Sequence, residues 1–316
     1  MFSPIVIIAQ LALPIGLLVW VAVGRNDSRA AWGVKLTLVV LYTVAIALGG
    51  LWPVHPSLIP GAYLVALLGA GARSFRRSRP VTMWPATRRA RASMAFRGGM
   101  ALLGAALVLH VLSGRRPPLA PAIDLAFPLA GGTYHVVNGG SRQLINSHLM
   151  TLSAARFRDW RGQSYGIDLV RLNRGSRARG LLPDDPAAYA IFGDPVLAPC
   201  TGDVIAAVDG LRDLSPPAID REHMAGNHVM LVCGDAWILV GHLQQSSVCV
   251  TVGQRVATGT PIGRVGNTGN TNEPHLHIHA QRPGSIAAPL GGDPLVIRFG
   301  GRYLARNALI TREARR

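Results

Sequence analysis

Glu273-Pro274-His275-Leu276-His277-Ile278-His279 follows the glycine-rich run Gly263-Arg264-Val265-Gly266-Asn267-Thr268-Gly269-Asn270. Imidazole and aliphatic side chains alternate there with a period of two, the pattern of a β-strand. On such a strand, positions 275, 277 and 279 project from one face, and Leu276 and Ile278 project from the other into a core. Imidazole both ligates metals and moves protons near neutral pH. Two imidazoles on one strand face can therefore divide the work: one holds a Zn²⁺ ion and its neighbour stands beside the water that the ion activates. A His-x-His alone is a weak signal, because histidines alternate by chance and also line cupin metal sites.

The surroundings strengthen it. Upstream lie Tyr165-Gly166-Ile167-Asp168, Ala198-Pro199-Cys200-Thr201-Gly202-Asp203-Val204, Gly241-His242-Leu243 and Val252-Gly253-Gln254-Arg255-Val256-Ala257-Thr258-Gly259-Thr260-Pro261-Ile262-Gly263. In this order the segments resemble the LytM/lysostaphin-like zinc metallopeptidases of family M23, over about residues 127–283. The resemblance implies a mainly antiparallel β domain, Zn²⁺ as cofactor, and hydrolysis of stem or cross-link peptides in bacterial peptidoglycan. It implies metal ligation by His277, the second His of the His-x-His, and by Asp168. His242 and His275 resemble the two catalytic histidines that do not bind metal. We expect His275 to act as base toward the activated water and His242 to stabilise the tetrahedral intermediate, with sharing of the roles left open.

At one position the chain departs from that family. The usual His-x-x-x-Asp would place a ligand at 164, which is Ser164. A serine hydroxyl must ionise from a far higher pKa than an imidazole before it binds Zn²⁺ well. Either the site is inactive or another residue supplies the nitrogen. The best candidate is His148, in Asn146-Ser147-His148, which resembles an Asn-x-His carried by relatives with a Gln-x-Tyr-x-x-Asp segment. His279 is expected at the rim or in support, and His135, His223 and His228 in loops or packing.

Three other readings compete with this one. Val252–Gly263 also resembles biotinyl and lipoyl carrier domains, but the only lysine is Lys35, in the apolar half, so there is nothing for a carrier to modify. A cupin explains a His-x-His but not His242 or the Tyr165–Asp168 segment. A degenerate, non-catalytic domain that binds or regulates other wall hydrolases is the serious rival, and Ser164 is its ground.

Charge divides the chain. Of the 32 basic and 16 acidic residues, residues 1–119 hold thirteen basic and one acid, Asp27. Those basic residues are embedded among long apolar runs, so a membrane explains them better than nucleic acid, and no nucleic-acid partner is expected. Four runs, roughly 4–23, 36–54, 57–72 and 95–113, approach the ~20 residues of a membrane span. Arg73, Arg76, Arg77, Arg79, Arg88, Arg89, Arg91 and Arg97 cluster between the last two, which places that loop in the cytoplasm. The short Trp52–Ser57 link and the rear half then lie outside, in a bacterial inner-membrane protein. Whether the spans also engage a regulatory membrane partner is left open.

The expected organisation is a transmembrane helical region (1–116), a Pro-rich linker (117–126), a metallopeptidase-like domain (127–300) and a basic tail (301–316), frayed or helical. Residues 171–194 and 210–226 read as polar insertions between strands. Cys200, Cys233 and Cys249 allow at most one intrachain pair in an oxidising compartment, and at least one is expected as a small buried apolar side chain. A reporter fused after Arg316 should register as extracytoplasmic. Cytoplasmic reporter activity there would overturn the topology.

Overall fold

The computed structural model describes residues 6, 8–52, 58–78, 82–285 and 288–313. Its contacts divide the chain into two compact units, Phe2–Ser113 and Gly114–Arg316.

In the first unit, α1 (Leu13–Val23) follows a π-helical turn at Ile8–Ala12, and α2 (Arg29–Gly49), α3 (Leu58–Ser78) and α4 (Arg88–Gly114) complete it. By length and composition, three segments among the described residues are able to cross a membrane: Arg29–Gly49, Leu58–Arg77 and Arg88–Gly114. The apolar segment Ile8–Val23, within the expected first span of 4–23, is shorter than these among the described residues. Residues 4, 5 and 7 of the expected first span, Arg79, and most of the Trp52–Ser57 link lie outside the described residues. Pro14, in the first turn of α1, has no N–H for the Gln10 carbonyl. The Tyr63 hydroxyl donates to that carbonyl instead, at 2.9 Å. Ser28 caps α2, its Oγ accepting from the Ala31 N–H. Lys35, the only lysine, lies inside a helix. It is buried within α2, with Nζ donating to the Gly24 carbonyl and 5.3 Å from the Trp20 ring centroid. Arg73, Arg76 and Arg77 occupy α3, and Arg88, Arg89, Arg91 and Arg97 occupy α4, so both helices run beyond their apolar stretches.

The second unit is built on strands: β1 (Ala122–Leu125), β2 (Gly132–Asn138), β3 (Ile167–Leu172), β4 (Pro195–Leu197), β5 (Gly202–Val208), β6 (Asn227–Cys233), β7 (Ala236–Leu243), β8 (Arg255–Val256), β9 (Pro261–Arg264), β10 (Leu276–Gln281), β11 (Pro294–Phe299), β12 (Arg302–Tyr303) and β13 (Leu309–Arg312). The main sheet runs β13-β2-β3-β10-β7-β6-β5-β8, with β11 on β10 carrying β1 and β12, and β4 pairs with β9. Every pairing between these strands is antiparallel except β1 with β11.

All six residues of β10 are buried. Leu276, Ile278 and Ala280 enter one continuous core with Ile167, Leu169, Ile238 and Val240, while His277 and His279 alternate with them. The expected boundaries shift at both ends. Residues 122–125, placed in the linker, pair with Val296–Phe299, and residues 309–312, placed in the tail, pair with Gly132–His135. Ile310 explains the second case, because its side chain is buried in the core and draws the segment into the sheet. Cys200 and Cys233 form a disulfide, and Cys249 is exposed.

His135, on β2, is 1% exposed and bonds through Nε2 to Asn307 Oδ1 at 3.0 Å. Burial, aided by Arg306 and opposed by the Asn307 hydrogen bond, lowers its pKa to about 4. Its unfolded value is ~6.5. The unfolded chain therefore binds a proton that the folded chain refuses between those values, so stability is intact above pH ~6.5 and falls as pH drops toward 4. Denaturant titrations of the full chain at several pH values should show this fall, shallower by about one proton in His135→Gln. An equal slope in both would remove His135 as a cause.

Candidate metal centre

Register brings the first two groups together. His277 on β10 stands opposite Asp168 on β3 and opposite Gly241 on β7. Directly opposed residues on antiparallel strands have Cβ atoms about 4.5–5.5 Å apart. His277 Nδ1 lies 2.8 Å from Asp168 Oδ1. Gly166, two residues before Asp168, leaves room for the cluster: a Cβ there would stand 2.8 Å from His277 Cε1 and 3.4 Å from His148 Nδ1.

His148 arrives from a different element. It lies in a 3₁₀ turn, Ser147–Leu149, that runs into the short helix Met150–Ser153. Its Nε2 is 3.5 Å from Asp168 Oδ2, and its ring centroid is 4.8 Å from that of His277. The donor atoms of His148, Asp168 and His277 lie within 4.8 Å of one another, an arrangement able to hold a divalent metal. Ser164 takes no part. It is buried, its Oγ donates to the Arg161 carbonyl at 2.6 Å and pairs with Thr151 Oγ1 at 2.8 Å, and Thr151 in turn donates to the His148 carbonyl. The position that carries a ligand in the family pattern is here part of the scaffold under His148.

His242 and His275 complete the cluster, their ring centroids 4.8 Å apart and His242 5.7 Å from His277. His242 sits near the end of β7 with φ 59°. That left-handed backbone is costly for a side chain with a Cβ, by about 1–2 kcal/mol, and such strain collects at functional sites. His279 is buried at 2% exposure behind His277, so it supports the cluster from within and does not lie at the rim. His223 pairs with Asp220 in a loop, and His228 bonds the Gly226 carbonyl, both away from the cluster's donor set.

The second nitrogen of each clustered imidazole is occupied, which fixes where the proton sits. His242 Nδ1 donates to the Thr268 carbonyl at 2.8 Å and His275 Nδ1 to the Glu273 carbonyl at 2.9 Å, since a carbonyl only accepts. The Asn146 amide nitrogen donates to the Gly140 and Gly166 carbonyls, so its oxygen faces His148 Nδ1 at 3.0 Å and takes that proton. The Nε2 lone pairs of His148, His242 and His275 are thereby left free. Burial lowers His148 to about 4, against the opposing pull of Asp168. Burial also pushes His242 well below the ordinary imidazole range, with His275 and His277 adding to it. Burial works against ionisation of Asp168, but His148, His275 and His277 around it outweigh that and hold its carboxyl well below the usual range. The result is an ionised carboxylate among basic nitrogens. This donor set fits Zn²⁺, which takes imidazole and carboxylate together in hydrolytic sites.

Several supporting residues escaped the sequence reading. Asn138 Nδ2 donates to Asp168 Oδ2 at 2.8 Å, and Arg306 fixes the Asn138 oxygen at 2.9 Å. Arg177, buried in the 171–194 insertion, forms an ion pair with Glu273 at 2.9 Å, next to the carbonyl that orients His275. Only the buried arginines in otherwise polar segments could have signalled them, and sequence does not show burial.

Comparison with known proteins bears on this geometry. Residues 187–289 match the profile of peptidase family M23. That stretch contains His242, His275 and His277, and stops short of His148 and Asp168. Among solved structures, the catalytic domain of lysostaphin from Staphylococcus simulans is similar at 25% identity, over 39% of this chain and 71% of that one, with a TM-score of 0.26. Against the larger lysostaphin structure the identity is 22% and the TM-score 0.26, with 43% of this chain and 48% of that one covered. This chain thus spans about half of that protein. A zinc-containing peptidase from Vibrio cholerae is similar at 21% identity, over 36% and 46% of the two chains, with a TM-score of 0.23. No curated protein matched.

Ser164→Ala tests the scaffold role. It should leave metal content unchanged and cost about 1 kcal/mol for the lost hydrogen bonds, read as metal per chain and as an unfolding midpoint. Loss of metal with unchanged stability would return Ser164 to the donor set.

Proposed function

We propose that this chain is a membrane-anchored, zinc-dependent endopeptidase that hydrolyses peptide cross-links of bacterial peptidoglycan, with its β unit on the extracytoplasmic side. The observation that carries the reading is the convergence of His148, Asp168, His277, His242 and His275 in one buried cluster, with the outer nitrogens tied and basic nitrogens turned inward. His148, Asp168 and His277 would hold Zn²⁺, which when bound supplies a Lewis acid that activates water and polarises the scissile carbonyl. His275 Nε2, 3.6 Å from Asp168 Oδ1, accepts the proton of the attacking water, and the nearby carboxylate stabilises the resulting imidazolium. His242 presents a lone pair in its resting state, so it stabilises developing negative charge only once it carries a proton. The proton that His275 takes from the water is the one returned to the leaving amine, by His275 itself or through His242, whose lowered basicity lets it release a proton readily. Exclusion of water by the surrounding burial strengthens each of these interactions.

The rival reading, a metal-free regulatory module, rests on Ser164. The position of His148 beside Asp168 and His277 weighs against it, since an imidazole from another turn of chain lies where the nitrogen missing from position 164 is needed.

Full-length protein purified in detergent should contain about one Zn²⁺ per chain, since three protein ligands and one open position make a hydrolytic zinc site. It should release peptide fragments from purified peptidoglycan. His148→Ala should lose zinc as severely as His277→Ala or Asp168→Ala, whereas His275→Ala should keep zinc and lose about 10²–10⁴ in rate. Zinc retained in full by His148→Ala would sink the ligand assignment, and wild-type protein with neither zinc nor cleavage would favour the regulatory module.

A further inference from the structure

A pocket of about 350 Å³ opens among the end of β1, the β11–β12 turn and β13. Leu125, Phe127, Phe299 and Ile310 give it an apolar floor. The Phe127 ring is held there by Phe299, edge-on at 5.3 Å, and by Tyr134 at 5.6 Å. Two arginines, Arg302 and Arg312, line the same pocket, and both are exposed. Among the described residues neither forms an ion pair. Asp124, on β1, is engaged elsewhere: both its oxygens lie 3.0 Å from the Gly301 N–H, which fixes the turn that carries Arg302.

Register places this pocket on the side of the sheet away from the metal cluster. Ile310 stands opposite Tyr134 on β2, Val136 opposite Leu169 on β3, and Leu169 opposite Leu276 on β10. Opposed residues share a face, so Ile310 lies with the core side chains, and Arg312, two residues on, projects the same way. Asp168 and His277 occupy the other face. A ligand in the pocket is therefore not the peptide bond presented to the cluster. Its chemistry follows from the lining. A mostly apolar concavity of this size with a few placed polar groups is the usual form of a ligand site. The guanidinium fork matches a carboxylate bidentately.

We propose that this pocket is a second contact with peptidoglycan, an exosite that takes a free carboxylate of a stem peptide on Arg302 and Arg312 and a short apolar side chain of that peptide on the Phe127–Phe299 floor. The role rests on the hydrolase reading above and adds to it a grip on the polymer. Peptidoglycan repeats its stem peptides, so one can occupy the pocket while another lies at the metal cluster. The second contact then forms at the high effective concentration of a linked site. A soluble cross-linked peptide is too small to reach both faces and gains nothing from the pocket.

The test is co-sedimentation of full-length His275→Ala protein, in detergent, with purified insoluble peptidoglycan, which this variant cleaves too slowly to consume. Adding Arg302→Gln and Arg312→Gln should weaken binding about tenfold. The corresponding pair of lysine changes keeps the charge without the fork and should recover part of that loss. A soluble stem peptide with free carboxylates should compete, and the same peptide with its carboxylates amidated should not. With His275 intact, the double glutamine change should raise KM for the polymer about tenfold. It should leave kcat, and both constants for a soluble cross-linked dimer, as they are. Equal binding by the double variant and its parent, equal competition by the amidated peptide, or an equal rise in KM for polymer and dimer overturns the exosite and leaves the hydrolase reading intact. Wild-type protein that neither cleaves nor sediments with the polymer overturns that reading and this role with it.

Discussion

The placement of β10 between β3 and β7 governs the rest of the β unit. Its register sets His277 against Asp168 on one side and Gly241 on the other. A slip by one residue would turn Leu276, Ile278 and Ala280 toward the cluster and the imidazoles into the core. Each large aliphatic side chain so exposed would give up about 1.5–3 kcal/mol of burial, and each imidazole forced into the core would lose its hydrogen bonds. The apolar face therefore determines the geometry of the polar one, although it contains none of the proposed chemistry.

What the polar face creates is an electrostatic deficit. Asp168 is nearly buried, and its carboxyl is held well below the usual range by the imidazoles around it. One Asn138 amide and the neighbouring rings solvate the carboxylate. Buried charge is costly unless it is paired or coordinates a metal. A cation among these nitrogens would resolve the deficit, and the strained backbone at His242 and the ion pair behind Glu273 hold the two remaining imidazoles at its edge.

Period-two alternation made His275, His277 and the core positions beside them legible, and the ordered motifs did the same for Asp168 and His242. His148 was reached only by asking what replaces position 164, because its proximity to Asp168 depends on a 3₁₀ turn and the packing of Thr151 on Ser164. Arg306 was illegible for a related reason, since it acts on a residue 168 positions away. Hydropathy found the apolar helices but not their ends, since the aliphatic stems of arginine extend a helix past its last apolar residue. The same blindness hid β13, where a single buried isoleucine outweighs the basic residues around it.

Arg306 also bears on the order of events in biosynthesis. It donates to the Val137 and Leu144 carbonyls as well as to Asn138, and so joins the strand before the cluster to the segment that carries His148. These links span more than half the chain, so they form only after residue 306 has been synthesised. A nascent chain that has already emerged through His277 would still lack the support that orients Asp168. Support for the cluster is therefore complete only after synthesis has passed residue 306.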